Sequence, residues 1–226
     1  MTTRLPSLEP KEETAREALV RAALHLIVTK GYHETTTDQI ARTAGVGTGT
    51  LYLNFDSKEK LALEVLRRCA ESVATGMLEA VAKANSTAER VRATIAHMFD
   101  WCERHPEEAV YLLLLRRSDM FTTPTRVIDT ELLPLSPLHV MEQFILEGQR
   151  SGEIKHKDLR VLRKVGGIPL AFIRERLEGW HRGDLRNDVD IATKMCCAAL
   201  GLQEGSSDCL QGSIGMADDE VVPKQR

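Results

Sequence analysis

Between Thr36 and Phe55 the chain reads TTDQIARTAGVGTGTLYLNF, a stretch whose polar atoms are mostly neutral hydroxyls and amides with one phenol. Such groups make hydrogen bonds to a partner; by themselves they are poor acids, bases or metal ligands. Gly45, Gly47 and Gly49 suggest a phosphate-cradling loop, but the spacing is neither GxGxxG nor a Walker loop, and no β-branched strand precedes it. His97, Cys102 and His105 are the best metal candidates. Cys102 falls on an apolar stripe and His105 precedes Pro106 at a helix boundary, so no metal site is expected. The five cysteines, Cys69, Cys102, Cys196, Cys197 and Cys209, form no CxxC pair and are expected as buried reduced thiols. With no nucleophile elbow and no paired carboxylates in a recognisable context, neither an enzyme nor a cofactor is expected.

The elements that must position these hydroxyls are two short helices. Thr36 and Gln39 form a capping-box pattern, so a helix begins at Thr36 or Thr37. Ile40, Ala41 and Ala44 give it an apolar face, and Gly45 can end it in the left-handed conformation. Gly47 stands at the next N-cap, and Thr48 to Asn54 supply about two turns at 3.6 residues each. Leu51 and Phe55 anchor the second helix inward, leaving Thr48, Thr50, Tyr52 and Asn54 outward. Upstream, Leu19, Ala22, Ala23, Leu26 and Ile27 recur at helical spacing and supply the stripe that holds the pair; Gly31 supplies the stop. The pattern is a helix-turn-helix, the architecture that places its second helix in the major groove of double-stranded DNA.

From Leu19 to Leu61 the chain resembles the N-terminal domain of the TetR family of bacterial transcriptional regulators. The shared features are Lys30-Gly31-Tyr32, Thr35-Thr36, Ile40-Ala41, Ala44-Gly45-Val46, Gly49-Thr50-Leu51-Tyr52, Phe55 and Ser57-Lys58-Glu59. Gly47 stands where the family usually has serine, and Asn54 where a histidine or tyrosine is common. The resemblance implies that Thr37 and Lys58 touch phosphates, that Tyr52 touches the DNA backbone, and that Thr48, Gly49 and Thr50 approach bases. Thr36 at the cap and Asn54, whose amide suits phosphate or adenine, complete the candidate DNA-binding set. No arginine lies on the outward face, so strong guanine reading by this helix is not expected.

The 226 residues carry 30 Lys plus Arg against 33 Asp plus Glu, a net charge of −3. Screening over about 8 Å makes the local cations count most when a polyanion approaches. Lys30, Arg42, Lys58 and Lys60 are that cluster, with Arg4 and Lys11 on the preceding arm. At 42% hydrophobic and 4% aromatic, the composition favours aliphatic helix packing. The longest apolar run, Ala109 to Leu115, is far short of the ~20 residues of a membrane span. A soluble, cytoplasmic protein without a membrane partner is expected.

The fold class expected is all-α: an N-terminal arm and three-helix helix-turn-helix domain over residues 1–57, a helical effector-binding and dimerisation domain over 58–203, and a disordered tail over 204–226. Leu61, Val65, Cys69, Val73 and Met77 mark a long helix joining the two domains. Ser86 and Glu89 form a second capping box, and Pro106 with Glu107-Glu108 starts another helix. A looser stretch from Ser118 to Pro137 precedes the helix of Leu138, Met141 and Ile145, which ends at Ser151-Gly152. The last two helices are expected over about 158–181, delayed or kinked at Gly166, Gly167 and Pro169, and over about 188–202. Their apolar residues Leu170, Ile173, Leu177, Trp180, Ile191, Met195, Ala199 and Leu202 form the candidate dimer interface, since the resemblance implies a four-helix contact between two copies. It also implies a small-molecule effector in the second domain. Met98, Trp101, Tyr111, Leu115, Met120, Phe121, Phe144 and Phe172 are the candidate pocket, whose makeup favours a hydrophobic or aromatic ligand. The expectation is thus a homodimeric repressor of a pseudo-palindromic operator, released by such a ligand. The alternative is a DNA-binding regulator without a small-molecule sensor, controlled by abundance or a protein partner.

Overall fold

A computed structural model describes residues 13–113, 120, 137–155, 158 and 164–202, and among these every regular element is a helix. α1 (Ala15–Lys30) opens on a reciprocal cap in which Thr14 Oγ1 accepts the Glu17 N–H at 3.2 Å and Glu17 accepts the Thr14 N–H at 2.8 Å. α2 (Thr37–Thr43) and α3 (Thr48–Asn54) follow, then α4 (Lys58–Val81), α5 (Thr87–Arg104) and α6 (Pro106–Leu113). Beyond them lie α7 (Pro137–Ser151), α8 (Gly167–Leu177) and α9 (Leu185–Leu200). The stops expected at Gly31 and Gly45 adopt φ of 93° and 72°, where a side chain would be strained.

Two apolar cores meet on one helix. The first gathers Leu19 and Ile27 of α1, Ile40 of α2, Leu51 of α3 and Leu61, Val65, Leu66 and Cys69 of α4. The second begins one turn later on α4 with Val73 and Met77, and adds Ile95 and Phe99 of α5, Phe144 and Ile145 of α7, Ile173 of α8 and Cys196 and Leu200 of α9. Each such aliphatic side chain, fully buried, contributes roughly 1.5–3 kcal/mol. The division expected at residues 57/58 falls at the N-cap of α4, yet the first three turns of α4 complete the first core.

Several ends differ from the sequence expectation, each for a local reason. At the start of α5, Ser86 Oγ accepts the Glu89 N–H at 3.2 Å, but the Glu89 carboxylate accepts from Asn85 rather than Ser86. The Thr87 N–H is taken instead by Glu153, beyond α7, at 2.8 Å. α8 is shorter than the helix expected over 158–181. Pro169 occupies its first turn, where a missing N–H leaves no bond unmade, and its far end closes with the Trp180 N–H on the Glu175 carbonyl at 2.9 Å. α9 starts earlier than Asp188 because the Asp184 carboxylate caps the Arg186 N–H at 2.9 Å. Asp188 is thereby drawn inside, where Arg176 (2.8 Å) and His181 (3.2 Å) satisfy its charge.

Cys69, Cys102, Cys196 and Cys197 are free and buried, and burial pushes the thiols of Cys69, Cys102 and Cys196 up to about 12. Among the described residues no helix is long and apolar enough to cross a membrane. Arg4, Lys11, Leu115, Phe121, Cys209 and the tail over 204–226 lie outside the described residues.

Candidate nucleic-acid interface

α2 and α3 are held at a fixed crossing by their own polar side chains. Thr36 Oγ1 accepts the Gln39 N–H at 3.2 Å while Gln39 Oε1 accepts the Thr36 N–H at 3.1 Å, which completes the predicted capping box. Thr48 donates its hydroxyl to Asp38 at 2.9 Å, and Thr37 Oγ1 lies 3.3 Å from the Tyr52 hydroxyl. Both pairs bridge the first turn of α2 to α3. Behind them Leu51 is fully buried and Phe55 nearly so, with the Arg16 guanidinium 4.5 Å from the Phe55 ring centre.

The eight predicted contact residues occupy different situations. Thr36, Gly49 and Tyr52 are exposed; Thr37, Thr48, Thr50, Asn54 and Lys58 are half-buried. Asn54 donates its amide to the Thr50 carbonyl of its own helix at 2.8 Å, so its donor faces its own backbone. Lys58 is a second surprise: its ammonium donates to the carbonyls of Tyr32 and Thr35, both at 3.0 Å, and lies 4.2 Å from the Tyr32 ring centre. Burial moves its pKa down. Two of its three donors thus fix the loop between α1 and α2. Thr35 is buried in the same loop and donates to the Gly31 carbonyl at 2.8 Å.

Leu53 is a residue to which the sequence pattern above assigns no role. It is 88% exposed, the most exposed large apolar side chain among the described residues, and sits on α3 beside Tyr52 at 53%. The signal was available, because Leu51 anchors α3 inward and a residue two positions on lies 200° around a helix of 100° per residue.

Behind the helix-turn-helix, Glu64 on α4 accepts from Arg67 at 2.8 Å and Arg68 at 3.0 Å and lies 3.4 Å from Arg16 of α1. Arg67, foremost, and the other guanidiniums hold the Glu64 carboxyl down to about 2. A second joint runs to α6. Tyr111 is buried in the first core and donates its hydroxyl to the Ala62 carbonyl at 2.9 Å, and His25 Nδ1 of α1 meets Glu107 at 2.8 Å.

The predicted pocket residues therefore separate. Met98, Trp101 and Phe144 are buried in the second core, with the Trp101 indole donating to Ser72 at 3.0 Å, and Phe172 packs at its edge. Tyr111 belongs to the first core instead, because α6 packs against α1 and α4, and Met120 is buried in that core too. A cavity of about 210 Å³ lies between α5 and α8, lined by Phe99, Cys102, Pro106, Ile173, Leu177 and the Glu103–Arg176 ion pair. None of the six predicted pocket residues that are described lines it. Of the predicted interface, Ile173 is buried within its own protomer, Leu170, Leu177, Ala199 and Leu202 pack partly against the second core, and Trp180, Ile191 and Met195 are exposed.

A three-helix recognition unit mounted on a helical body defines the class: a DNA-binding helix-turn-helix transcriptional regulator. Residues 19–65 match the family model for bacterial regulatory proteins, tetR family. The transcriptional activator FasR of Mycolicibacterium smegmatis is 33% identical over 115 residues, 51% of each chain. The fatty acid metabolism regulator protein of Bacillus subtilis is 28% identical over 173 residues, 76% of this chain and 86% of that one. The match thus spans about half the length of the first of these relatives. Among solved structures, FadR from Bacillus subtilis in complex with stearoyl-CoA superposes with a TM-score of 0.71 at 24% identity, over 80% of this chain and 97% of that one. A tetR family regulator from Shewanella sp. PV-4 gives 0.70 at 24%, over 83% and 98%. Over residues 19–65 the chain is thus similar to the bacterial regulatory proteins of the tetR family, and its helical layout beyond them is similar to that of solved tetR family structures.

Proposed function

We propose that the protein is a ligand-responsive repressor that grips a pseudo-palindromic duplex as a homodimer and lets go when a hydrophobic effector enters its second domain. The observation that carries the DNA reading is α3 itself: a short helix locked to α2 by Thr37–Tyr52 and Thr48–Asp38 pairs, with its opposite side bare of protein. Trp180 at 79%, Met195 at 47% and Ile191 at 40% exposure support a second copy packing on α8 and α9. Two recognition helices set about 34 Å apart then ask for half-sites one helical turn apart.

For the effector we infer an acyl thioester with a long aliphatic chain, the class bound by the Bacillus subtilis FadR in its complex with stearoyl-CoA. A cavity of about 210 Å³ is smaller than the ~300–1,000 Å³ of ordinary ligand sites, so such a chain requires α5 and α8 to part. That requirement supplies the difference in affinity between two states without which a ligand shifts nothing. The same small volume favours the second reading, a regulator without a small-molecule sensor.

The test is a duplex selected by the protein from a randomised pool, followed by anisotropy as stearoyl-CoA is added and by sedimentation of the free protein. Release at micromolar stearoyl-CoA from a dimer is expected. Indifference to it favours the sensorless reading, a monomer in sedimentation refutes the dimer, and selection of no duplex refutes the DNA reading.

A further inference from the structure

Leu51 is completely buried at the centre of α3 and defines the inward direction of that helix. At 100° per residue, positions two before and two after it lie 160° and 200° around, so Gly49 and Leu53 straddle the ridge diametrically opposite. That ridge is what meets a partner first. It holds no hydrogen-bonding side chain at all, since one residue has none and the other is aliphatic. The hydroxyls of Thr48 and Tyr52, by contrast, are turned toward α2.

Neither residue is explained by the fold. Leu53 keeps 88% of its surface exposed, whereas Leu51, the other leucine of α3, is fully buried in the first core. Gly49 has a helical, negative φ, and a Cβ built on it would meet nothing within 4 Å. Backbone geometry and internal packing would both accept alanine, a better helix former. A bare backbone beside a branched apolar side chain fits a surface that approaches closely and carries an apolar knob.

On the floor of the major groove the one apolar group is the thymine C5-methyl; the remaining edges of all four base pairs are donors and acceptors. Resting on the proposed DNA reading of α3, we propose that Leu53 is a specificity-determining residue that packs on a thymine methyl, with Gly49 admitting the base edge beside it. The operator half-site accordingly carries an obligatory thymine under the last turn of α3. Recognition there is by apolar contact, and it discriminates thymine from cytosine and from uracil alike.

The experiment uses the whole protein and a duplex selected by it from a randomised pool. Each thymine of that duplex is replaced in turn by deoxyuridine, which removes the methyl and preserves every hydrogen bond of the pair. Burying one methyl(ene) is worth about fourfold in affinity, so wild type is expected to lose about fourfold at one thymine per half-site. Leu53→Ala, folded as judged by circular dichroism, is expected to bind the parent duplex more weakly and to lose nothing further at that same position. Wild type that tolerates deoxyuridine everywhere overturns the proposal, as does a loss of the same size in Leu53→Ala. Both outcomes leave the DNA reading intact, whereas failure of the selection to yield any duplex removes the two together.

Discussion

Replacing Gly49 by alanine should move stability and DNA affinity in opposite directions. In the folded chain the new methyl meets nothing, because no atom lies within 4 Å of its position and the backbone is already helical. The gain is therefore that of helix propensity alone, reduced from the interior value because Gly49 lies in the first turn of α3: about 0.5 kcal/mol. For a chain of this size that corresponds to a rise of about 1–2 °C in melting temperature. On the duplex the same methyl stands on the outermost ridge, at the point where the helix backbone must come nearest the bases. A loss of at least tenfold in affinity, about 1.4 kcal/mol, is expected. Scanning calorimetry and anisotropy on the selected duplex measure the two effects on one sample. Gly47→Ser is the contrast: Gly47 N-caps α3 with no side-chain bond, so serine adds the missing acceptor and gains a few tenths of a kcal/mol. A Gly49→Ala protein that melts lower, or binds as tightly as the parent, refutes the reasoning about this ridge.

Three other variants probe the supports of the interface. Lys58→Met should cost about 1–2 kcal/mol of stability, measured by urea titration, because the carbonyls of Tyr32 and Thr35 each lose a charged donor. Tyr111→Phe should lower stability by about 1 kcal/mol through loss of its hydrogen bond to the Ala62 carbonyl, measured by urea titration. For Glu64, held down to about 2, the stabilisation is fully present above the ordinary carboxylate range and is lost as pH falls from about 4.5 toward 2. Glu64→Gln should therefore be less stable at neutral pH, by roughly 1–2 kcal/mol, and should show a flatter decline over that acid window in urea titrations.

What the sequence announced was local. The Thr36–Gln39 box, the Gly31 and Gly45 stops and the start at Pro106 each depend on atoms within four residues, and each stands where its pattern predicts. The Ser86–Glu89 box shows the limit, since the flexible Glu89 carboxylate accepts from Asn85 rather than from Ser86. Lys58 and Tyr111 take partners that the sequence does not announce, for a different reason. Their partners lie 23 to 49 residues away, and no spacing rule reveals which carbonyl a long side chain will reach across a helix crossing. Leu53 is legible by angle but not by type: it shares the ridge facing away from Leu51 with the predicted Gly49, but an aliphatic side chain carries no hydrogen-bonding group to mark it as a contact.

α4 is one uninterrupted rod whose N-terminal turns finish one apolar interior and whose C-terminal turns found the other. The recognition unit is consequently not a portable cassette. A fragment severed at residue 57 forfeits Leu61, Val65, Leu66 and Cys69 and leaves α1 with a wet, open seam. Anyone transplanting this three-helix unit must carry the chain through Cys69 and make the fusion inside an unbroken helix, where the phase of the junction, at 100° per added residue, decides how α3 is aimed.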